Sequence, residues 1–308
     1  MVKRVAAIDC GTNSVRLLIA DIDEMSEISD LTRQMRIVRL GEGVDQTGRL
    51  APAAIERTRL ALADYAADIA KSGVDAARMV ATSASRDAEN AADFRAMVFD
   101  TLGFEPEVIT GDEEARLSFA GAVRGLAAQS PFLVVDIGGG STEFVLGAVG
   151  AADDVDAALS VDIGCVRMTE RHLRADPPTP EQVAAAEADI TAAVDRALAA
   201  VRGARARTLV GLAGSVTTVA ALALGLPEYD PRRIHRARIS AADVAKVTAD
   251  LLAKTAEQRL ASPVMHPGRA DVIGAGALIL RIIVERSGAD SVIASESDIL
   301  DGIALSLA

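Results

Sequence analysis

The sequence predicts an α/β protein made of two similar halves, and three observations support this. The chain has 308 residues, enough for two domains of ordinary size that each bury a core. Residues 5–22 and 132–147 share one order of residue types: an apolar run, an Asp-x-Gly loop and a second apolar run. In both halves a third strand and then alternating helices and strands follow, which is typical of a mixed sheet covered by helices.

Hydrophobic periodicity and turn residues predict the elements of the first half. Residues 5–8 and 15–21 are short apolar runs joined by a short loop, which predicts a hairpin of two buried strands. Residues 51–73 have helical spacing, with Pro52 near the start and Gly73 at the end. The other predicted elements are a strand at 35–40, a strand and polar turn at 78–86, a helix at 88–103, a strand at 105–111 and a helix at 112–126.

The second half repeats this order from residue 132 onward. A hairpin is predicted at residues 132–146, and Ser240 is predicted to cap a helix because Asp243 follows three residues later. The other predicted elements are a strand near 158–163, a helix at 179–203, a strand, turn and helix at 207–226, a helix at 269–288, a strand at 290–297 and a helix at 298–308. The repeated order predicts a duplication, with domains at residues 1–125 and 126–308.

Composition excludes several classes of protein. A formal net charge of −12 and the absence of tryptophan argue against a nucleic-acid binder, which needs a basic surface and stacking side chains. Two cysteines and three scattered histidines favour neither a disulfide framework nor a zinc site. Neither a signal peptide nor a run of about 20 apolar residues is present, so we expect a cytoplasmic protein that does not bind membranes.

The two Asp-x-Gly loops suggest phosphate chemistry. A tight hairpin tip that exposes backbone N–H groups can cradle a phosphate, and glycine permits the close approach. Serine and threonine hydroxyls add donors, whereas a carboxylate at the same place would repel phosphate unless it holds a divalent cation or orients a water molecule. Two such hairpins that face each other would form a cleft for a chain of phosphates.

Several motifs carry a resemblance to a known family. They are "DCGTNS" at 9–14, "TSASR" at 82–86, "GDEEARL" at 111–117, "DIGGGSTE" at 136–143, "GCVRMTE" at 164–170, "AGSVTT" at 213–218 and "SDILDG" at 297–302. Together they resemble the exopolyphosphatase and guanosine pentaphosphate phosphohydrolase family, within the superfamily of actin, hexokinase and the heat-shock chaperones. The resemblance implies two ribonuclease-H-like (actin-like) domains, with mixed five-stranded sheets flanked by helices and an active site in the interdomain cleft. The last motif departs from the family pattern, because Ile299, Leu300 and Asp301 stand where members often have a basic residue.

The resemblance also implies roles for individual residues. Glu114 matches the general base, and Glu113 is the rival assignment, since neighbouring residues of a helix point about 100° apart. Glu143 matches a second catalytic acid. The implied ligands of Mg²⁺ (or Mn²⁺) are Asp9, Asp136 and Glu143. The implied phosphate-binding residues are Thr12, Asn13, Ser14, Arg86, Gly138, Gly139, Gly140, Ser141 and Thr142.

These roles predict an exopolyphosphatase that releases terminal phosphate from inorganic polyphosphate by metal-assisted attack of a Glu-activated water. The alternatives are a guanosine pentaphosphate phosphohydrolase, a sensor that binds guanosine penta- or tetraphosphate, and an ATP-dependent kinase of the same fold. We expect a homodimer. The arginine cluster at 232–238 either extends the track for a polyanion or forms a solvated loop. The acidic net charge favours short polyphosphate chains and distributive hydrolysis.

Overall fold

The computed structural model describes residues 2–148 and 155–308, and the chain forms two compact units. Unit 1 contains Met1–Gly121 and Ile299–Ala308, and unit 2 contains Ala122–Asp298. The strands are β1 Lys3–Cys10, β2 Ser14–Ile22, β3 Ile28–Ile37, β4 Ala76–Ala81, β5 Glu107–Val108, β6 Phe132–Ile137, β7 Thr142–Gly147, β8 Val155–Val161, β9 Thr208–Leu212, β10 Arg238–Ser240 and β11 Ser291–Ala294. The α-helices are α1 Val44–Thr47, α2 Pro52–Ser72, α3 Ser83–Asp87, α4 Ala91–Leu102, α5 Gly111–Val123, α6 Cys165–Arg171, α7 Pro180–Ala200, α8 Ala213–Ala223, α9 Pro231–Ile234, α10 Ala241–Ala253, α11 Ala256–Leu260, α12 Ile273–Ser287 and α13 Ile299–Leu305, and Gly203–Arg205 and Pro267–Arg269 form 3₁₀ turns.

The sheet of unit 1 has the strand order β3-β2-β1-β4-β5. Strands β1 to β3 are antiparallel, whereas β4 and β5 continue the sheet in the direction of β1. Side chains of β1 alternate between two buried faces, since successive residues of a strand point to opposite sides. Ala6, Ile8 and Cys10 pack in the cluster that includes α2 and α4, while Val5 and Ala7 pack with α13. Residues 5–8 of β1 are therefore apolar on both faces of the sheet.

The sheet of unit 2 has the order β10-β11-β9-β6-β7-β8. Five of its strands repeat the order and directions of the first sheet, as the predicted duplication requires. The sixth, β10, adds antiparallel to β11 at the edge, so this sheet has one strand more than expected. A strand of three residues is too short to produce a periodic signal. Helix α12 packs in this core and is buried on most of its surface.

Three predicted elements differ from the structure. The third strand was predicted at residues 35–40, but β3 covers Ile28–Ile37. Its register with β2 extends from Ser14↔Ile37 to Ile22↔Ile28, so backbone pairing forms a strand that hydrophobic alternation did not predict. The polar turn predicted at 82–86 is helix α3, and the strand predicted at 105–111 shortens to Glu107–Val108.

Helix α13 lies in unit 1, although the predicted second domain, residues 126–308, includes it. Its residues Ile299, Leu300 and Ile303 are buried against side chains of β1, β2 and β4. Hydrophobic burial explains this return of the chain, because these strands expose an apolar face that α13 covers. Within the described residues, no helix is both long enough and apolar enough to cross a membrane.

Candidate active site

The two Asp-x-Gly hairpins have the same local geometry. We call residues 9–14 glycine loop 1 and residues 136–143 glycine loop 2. In loop 1 the amide N–H of Gly11 donates to the carbonyl of Ser14 at 2.9 Å, and in loop 2 the amide of Gly138 donates to Ser141 at 3.0 Å. Each donor lies two residues after the aspartate and each acceptor five residues after it. The repeated sequence pattern therefore folds into a repeated backbone turn.

Helix α6 fixes glycine loop 2 in place. The amides of Cys165 and Val166 donate to the carbonyls of Gly138 and Gly139, both at 2.9 Å. The Nε of Arg167 donates to the carbonyl of Gly140 at 2.7 Å. These three bonds hold successive carbonyl groups of the loop, and so they set the orientation of its peptide groups before any ligand binds.

We expect Gly164→Ala to disturb glycine loop 2. A Cβ at this position would lie 2.3 Å from the carbonyl oxygen of Gly139 and 2.5 Å from the amide nitrogen of Gly140. Backbone must move to relieve these contacts, so we expect a loss of about 1–3 kcal/mol in the free energy of unfolding and a fall in activity. Thermal melting and steady-state kinetics measure both.

Gly274→Ala is the control for that variant, because its added Cβ would meet neighbours at ordinary contact distances of 3.4 Å and more. It should leave activity near the wild-type value. Equal effects of the two variants would show that Gly164 has no special role in holding the loop.

Glycine loop 1 is held in a comparable way by the segment that follows β3. The amide of Gly41 donates to the carbonyl of Thr12 at 2.9 Å, and the amide of Val38 donates to Asn13 at 3.0 Å. The hydroxyl of Thr12 is buried and lies 2.8 Å from the hydroxyl of Ser83. The side-chain Oδ1 of Asn13 is buried and accepts no hydrogen bond from the described residues. A donor on a ligand or a water molecule would satisfy this oxygen.

The strand register assigns different partners to the two loop aspartates. Asp9 lies opposite Arg16, and Asp136 lies opposite Glu143, seven residues later in each case. Asp9 accepts hydrogen bonds from Nη2 and Nε of Arg16 at 2.6 and 3.0 Å. In the β1–β2 hairpin the aspartate therefore faces an arginine. In the β6–β7 hairpin the aspartate faces a second carboxylate.

Asp136 and Glu143 fit a divalent cation. Their relative exposures are 8% and 1%, and residues directly opposite in an antiparallel pair have Cβ atoms about 4.5–5.5 Å apart. Glu143 also accepts a hydrogen bond from the hydroxyl of Ser160 at 2.7 Å, which orients its carboxylate. Two like charges at this distance repel, and a cation that both bind would relieve the repulsion. Carboxylate oxygens are the ligands that Mg²⁺ prefers.

The remaining ligands of such an ion would come from water and substrate. Within residues 2–148 and 155–308, no three histidine, cysteine, aspartate or glutamate side chains cluster closely enough to hold a metal ion. Mg²⁺ commonly binds one or two carboxylates together with waters and substrate phosphates, which agrees with a pair of protein ligands.

The two adjacent glutamates of α5 point to different arginines. Glu114 is buried, and its Oε2 accepts a hydrogen bond from Nη1 of Arg86 at 2.8 Å. Glu113 is 45% exposed at its side chain and pairs with Arg78 at 2.7 Å. Nη1 of Arg86 also donates to the carbonyl of Ile109 at 3.0 Å. The predicted base and the predicted phosphate-binding arginine therefore meet in one ion pair, and Glu113 takes no part in it.

We expect Arg86→Ala to raise KM for a phosphate substrate by about 10- to 100-fold, because a hydrogen bond to a charged group contributes about 1.5–3 kcal/mol. Steady-state kinetics give KM, and circular dichroism checks the fold. Arg116→Ala is the matched control, since Arg116 is half-exposed on the same helix as Glu114 and pairs with Asp112 on the helix surface. An unchanged KM in Arg86→Ala would place this guanidinium outside the substrate site.

Other predicted residues occupy supporting positions. Ser141 is buried at the tip of glycine loop 2, and Thr142 is fully buried, with its hydroxyl donating to the carbonyl of Ile163 at 2.5 Å. Arg171, a further basic residue of α6, pairs with Asp189 at 2.9 Å. The hydroxyl of Thr142 thus has a partner inside the fold already.

The sequence did not single out Arg16, Ser160 or Arg269 as site residues. The signal for Arg16 was its place seven residues after Asp9, which matches the place of Glu143 after Asp136. The guanidinium of Arg269 lies against Gly214, where a Cβ would come within 2.0 Å of its Cζ. The glycine of the motif "AGSVTT" therefore makes room for an arginine that is distant in sequence, and sequence spacing cannot reveal such a contact.

Two mixed sheets with the same strand order, each opened by an Asp-x-Gly hairpin, define a two-domain protein of the actin-like class. The chain belongs to the Ppx/GppA phosphatase family, whose model matches residues 18–308. It is 53% identical to Exopolyphosphatase 2 of Mycobacterium tuberculosis, over 99% of this chain and 98% of that protein.

Solved structures agree with this assignment. The crystal structure of an exopolyphosphatase-like protein superposes with a TM-score of 0.95 at 43% identity, over 99% of this chain and 98% of that one. A Ppx/GppA enzyme of Aquifex aeolicus gives a TM-score of 0.82 at 34% identity, over 99% of this chain and 100% of that one. The predicted family and the predicted fold class are confirmed.

Proposed function

We propose that this protein is an exopolyphosphatase that releases terminal phosphate from inorganic polyphosphate. The observation that carries the proposal is the pair of buried carboxylates in glycine loop 2, Asp136 and Glu143, beside a turn rich in backbone donors. The high identity to Exopolyphosphatase 2 of Mycobacterium tuberculosis supports the same substrate class.

Each residue group has a role in this proposal. Glu114 accepts a proton from the attacking water, and Arg86 binds the phosphoryl group that the water attacks. Backbone N–H groups and hydroxyls of the glycine loops bind the neighbouring phosphates. Asp136 and Glu143 would hold Mg²⁺ or Mn²⁺, and such an ion neutralises phosphate charge when it is bound. Asp9 is engaged by Arg16, so we assign it to the support of glycine loop 1.

The ion pair between Arg86 and Glu114 connects substrate binding to base activation. A phosphate is a stronger partner for a guanidinium than one carboxylate, because it offers more acceptor oxygens and more charge. When Arg86 turns to the phosphate, Glu114 loses the hydrogen bond at 2.8 Å and its Oε2 becomes available to a water proton. Bound substrate would thus release the base that acts on it.

One assay tests the function. Phosphate release is measured from polyphosphate, ATP and guanosine pentaphosphate side by side, with Mg²⁺ and with excess chelator. We expect release from polyphosphate that needs the metal. Faster release from guanosine pentaphosphate would instead identify the protein as a guanosine pentaphosphate phosphohydrolase. Binding of guanosine tetraphosphate without hydrolysis of any compound would indicate a sensor.

A further inference from the structure

A basic loop of unit 2 lies at the same edge of its sheet as glycine loop 2. Strands β6, β9 and β11 are parallel, so their carboxyl ends meet at one edge. Glycine loop 2 follows β6 directly. The amide of Arg236 donates to the carbonyl of Ala294 at 2.7 Å, and the amide of Glu296 donates to Nδ1 of His235 at 3.2 Å. Residues 231–237, which we call the basic loop, therefore lie at the carboxyl end of β11.

The separation between these two loops follows from sheet geometry. Neighbouring strands are about 4.8 Å apart, and β11 is two strands from β6, so the basic loop begins about 10 Å along the edge from glycine loop 2. The end of β9 lies between them. There the guanidinium of Arg269 packs on Gly214, and its Nη1 donates to the hydroxyl of Thr218 at 3.3 Å.

Electrostatic interactions and hydrogen bonds connect residues at these positions. The amide of Cys165 donates to glycine loop 2. Burial raises the pKa of the Cys165 thiol, and the positive charge of Arg269 opposes that rise. Near the carboxyl end of β11, the hydroxyl of Tyr229 donates to Oε1 of Glu296 at 2.7 Å. The backbone amide of Glu296 donates in turn to His235 of the basic loop. Positive charge is thus present at the end of β9 and again at the end of β11.

Two arginines of the basic loop, Arg232 and Arg233, are exposed to solvent, whereas Nη2 of Arg236 donates to the carbonyl of Arg124 at 3.3 Å. Residues 227–238 contain four arginines and two acids, in a chain whose net charge is −12. Arg232 is 96% exposed at its side chain, and its nearest carboxylate, that of Asp230, is 4.0 Å away. The side chain of Arg233 is also exposed and forms no ion pair with any described residue. The one ion pair found among the described residues for these two arginines is thus long and exposed, so most of their charge remains available to a ligand.

We propose that the basic loop binds the phosphates of a polyphosphate chain that lie beyond those held by glycine loop 2. This inference rests on the proposed function and adds a second contact for the same substrate. The basic loop discriminates between polyphosphates of different length, because only a chain long enough to pass Arg269 reaches it. The affinity should increase with length until the chain reaches Arg232 and Arg233, and then become constant. Chains too short to pass Arg269 therefore gain nothing from it.

The test compares two double variants that remove the same charge. Arg232→Gln with Arg233→Gln removes two of the three exposed arginines of the basic loop. Arg205→Gln with Arg207→Gln is the control, because both arginines are exposed next to the amino end of β9, at the opposite edge of the same sheet. Kinetics are measured on tripolyphosphate and on long-chain polyphosphate, and direct binding of both is measured in a Glu114→Gln background.

We expect the basic-loop variant to raise KM and the dissociation constant for the long chain by about 5- to 30-fold, from two exposed charges. Its kcat, and its constants for tripolyphosphate, should stay unchanged. The effect should shrink as the ionic strength rises. Arg232→Lys with Arg233→Lys should restore most of the affinity.

Three results would overturn the proposal: no change with the long chain, an equal change with tripolyphosphate, or equal effects of the two double variants. Failure of the proposed function looks different. In that case the wild-type protein releases no phosphate from any polyphosphate, whereas the binding measurements still report on the basic loop.

Discussion

Glu114→Gln is expected to lower kcat by about 10²- to 10⁴-fold, which is the usual contribution of a positioned general base. Glutamine has nearly the same shape and can still accept a hydrogen bond from Arg86, so the ion pair at 2.8 Å becomes a hydrogen bond between a guanidinium and a neutral amide, and the fold is kept. KM should stay the same or fall, because an uncharged amide competes less with the substrate phosphate for Arg86. Single-turnover kinetics under saturating substrate measure the chemical step directly.

Glu113→Gln is the matched control for this experiment. It makes the same chemical change one residue earlier, at a side chain that is 45% exposed and pairs with Arg78 instead. It should leave kcat within a small factor of the wild-type value. A dead Glu113→Gln enzyme beside a nearly normal Glu114→Gln enzyme would move the assignment of the base by one residue.

Glu143→Gln is expected to lower activity at limiting Mg²⁺ by at least about 100-fold, since a bound metal ion contributes several kcal/mol to the stabilisation of charge. The change removes one of the two carboxylates that lie opposite each other in β6 and β7. The Mg²⁺ concentration for half-maximal activity should increase, and excess metal should restore part of the rate. A titration with Mg²⁺ measures both quantities.

Two further variants make the metal test specific. Asp156→Asn removes one acid from the neighbouring strand β8, where the carboxylate is 46% exposed and lies 3.8 Å from Arg205. Asp9→Asn removes the aspartate that is already paired with Arg16. Neither should change the Mg²⁺ requirement as Glu143→Gln does. If Asp9→Asn changes it equally, the ion is bound by the β1–β2 hairpin as well.

The parts of the fold that could be predicted from the sequence are those with local causes. Helix α2 begins at Pro52 and ends before Gly73, whose φ of 62° is left-handed, as its sequence indicated. The hydroxyl of Ser240 caps α10 by accepting a hydrogen bond from the backbone amide of Asp243. The hairpins of β1–β2 and β6–β7 were predicted for the same reason, because apolar runs and glycine turns act over a few residues.

The parts that could not be predicted depend on contacts between distant residues. Strand β3 is only partly buried and forms by pairing with β2, and β10 is added at an edge. In the site, the motifs indicated which residue types meet phosphate, but not their partners. Arg86 and Glu114 are 28 residues apart, and Arg269 and Gly214 are farther still, so their contacts depend on tertiary structure.

Helix α13 affects the order in which the two units fold during synthesis on the ribosome. Synthesis releases β1 to β5 early, yet Ile299 and Ile303, which cover one face of these strands, are made only after strands β6 to β11. The strands of unit 2, by contrast, are all made before residue 299. Domains generally fold in the order of synthesis. Here unit 1 is expected to complete its core after unit 2, and the apolar face formed by Val5, Ala7 and Leu18 stays uncovered until residues 299–303 emerge.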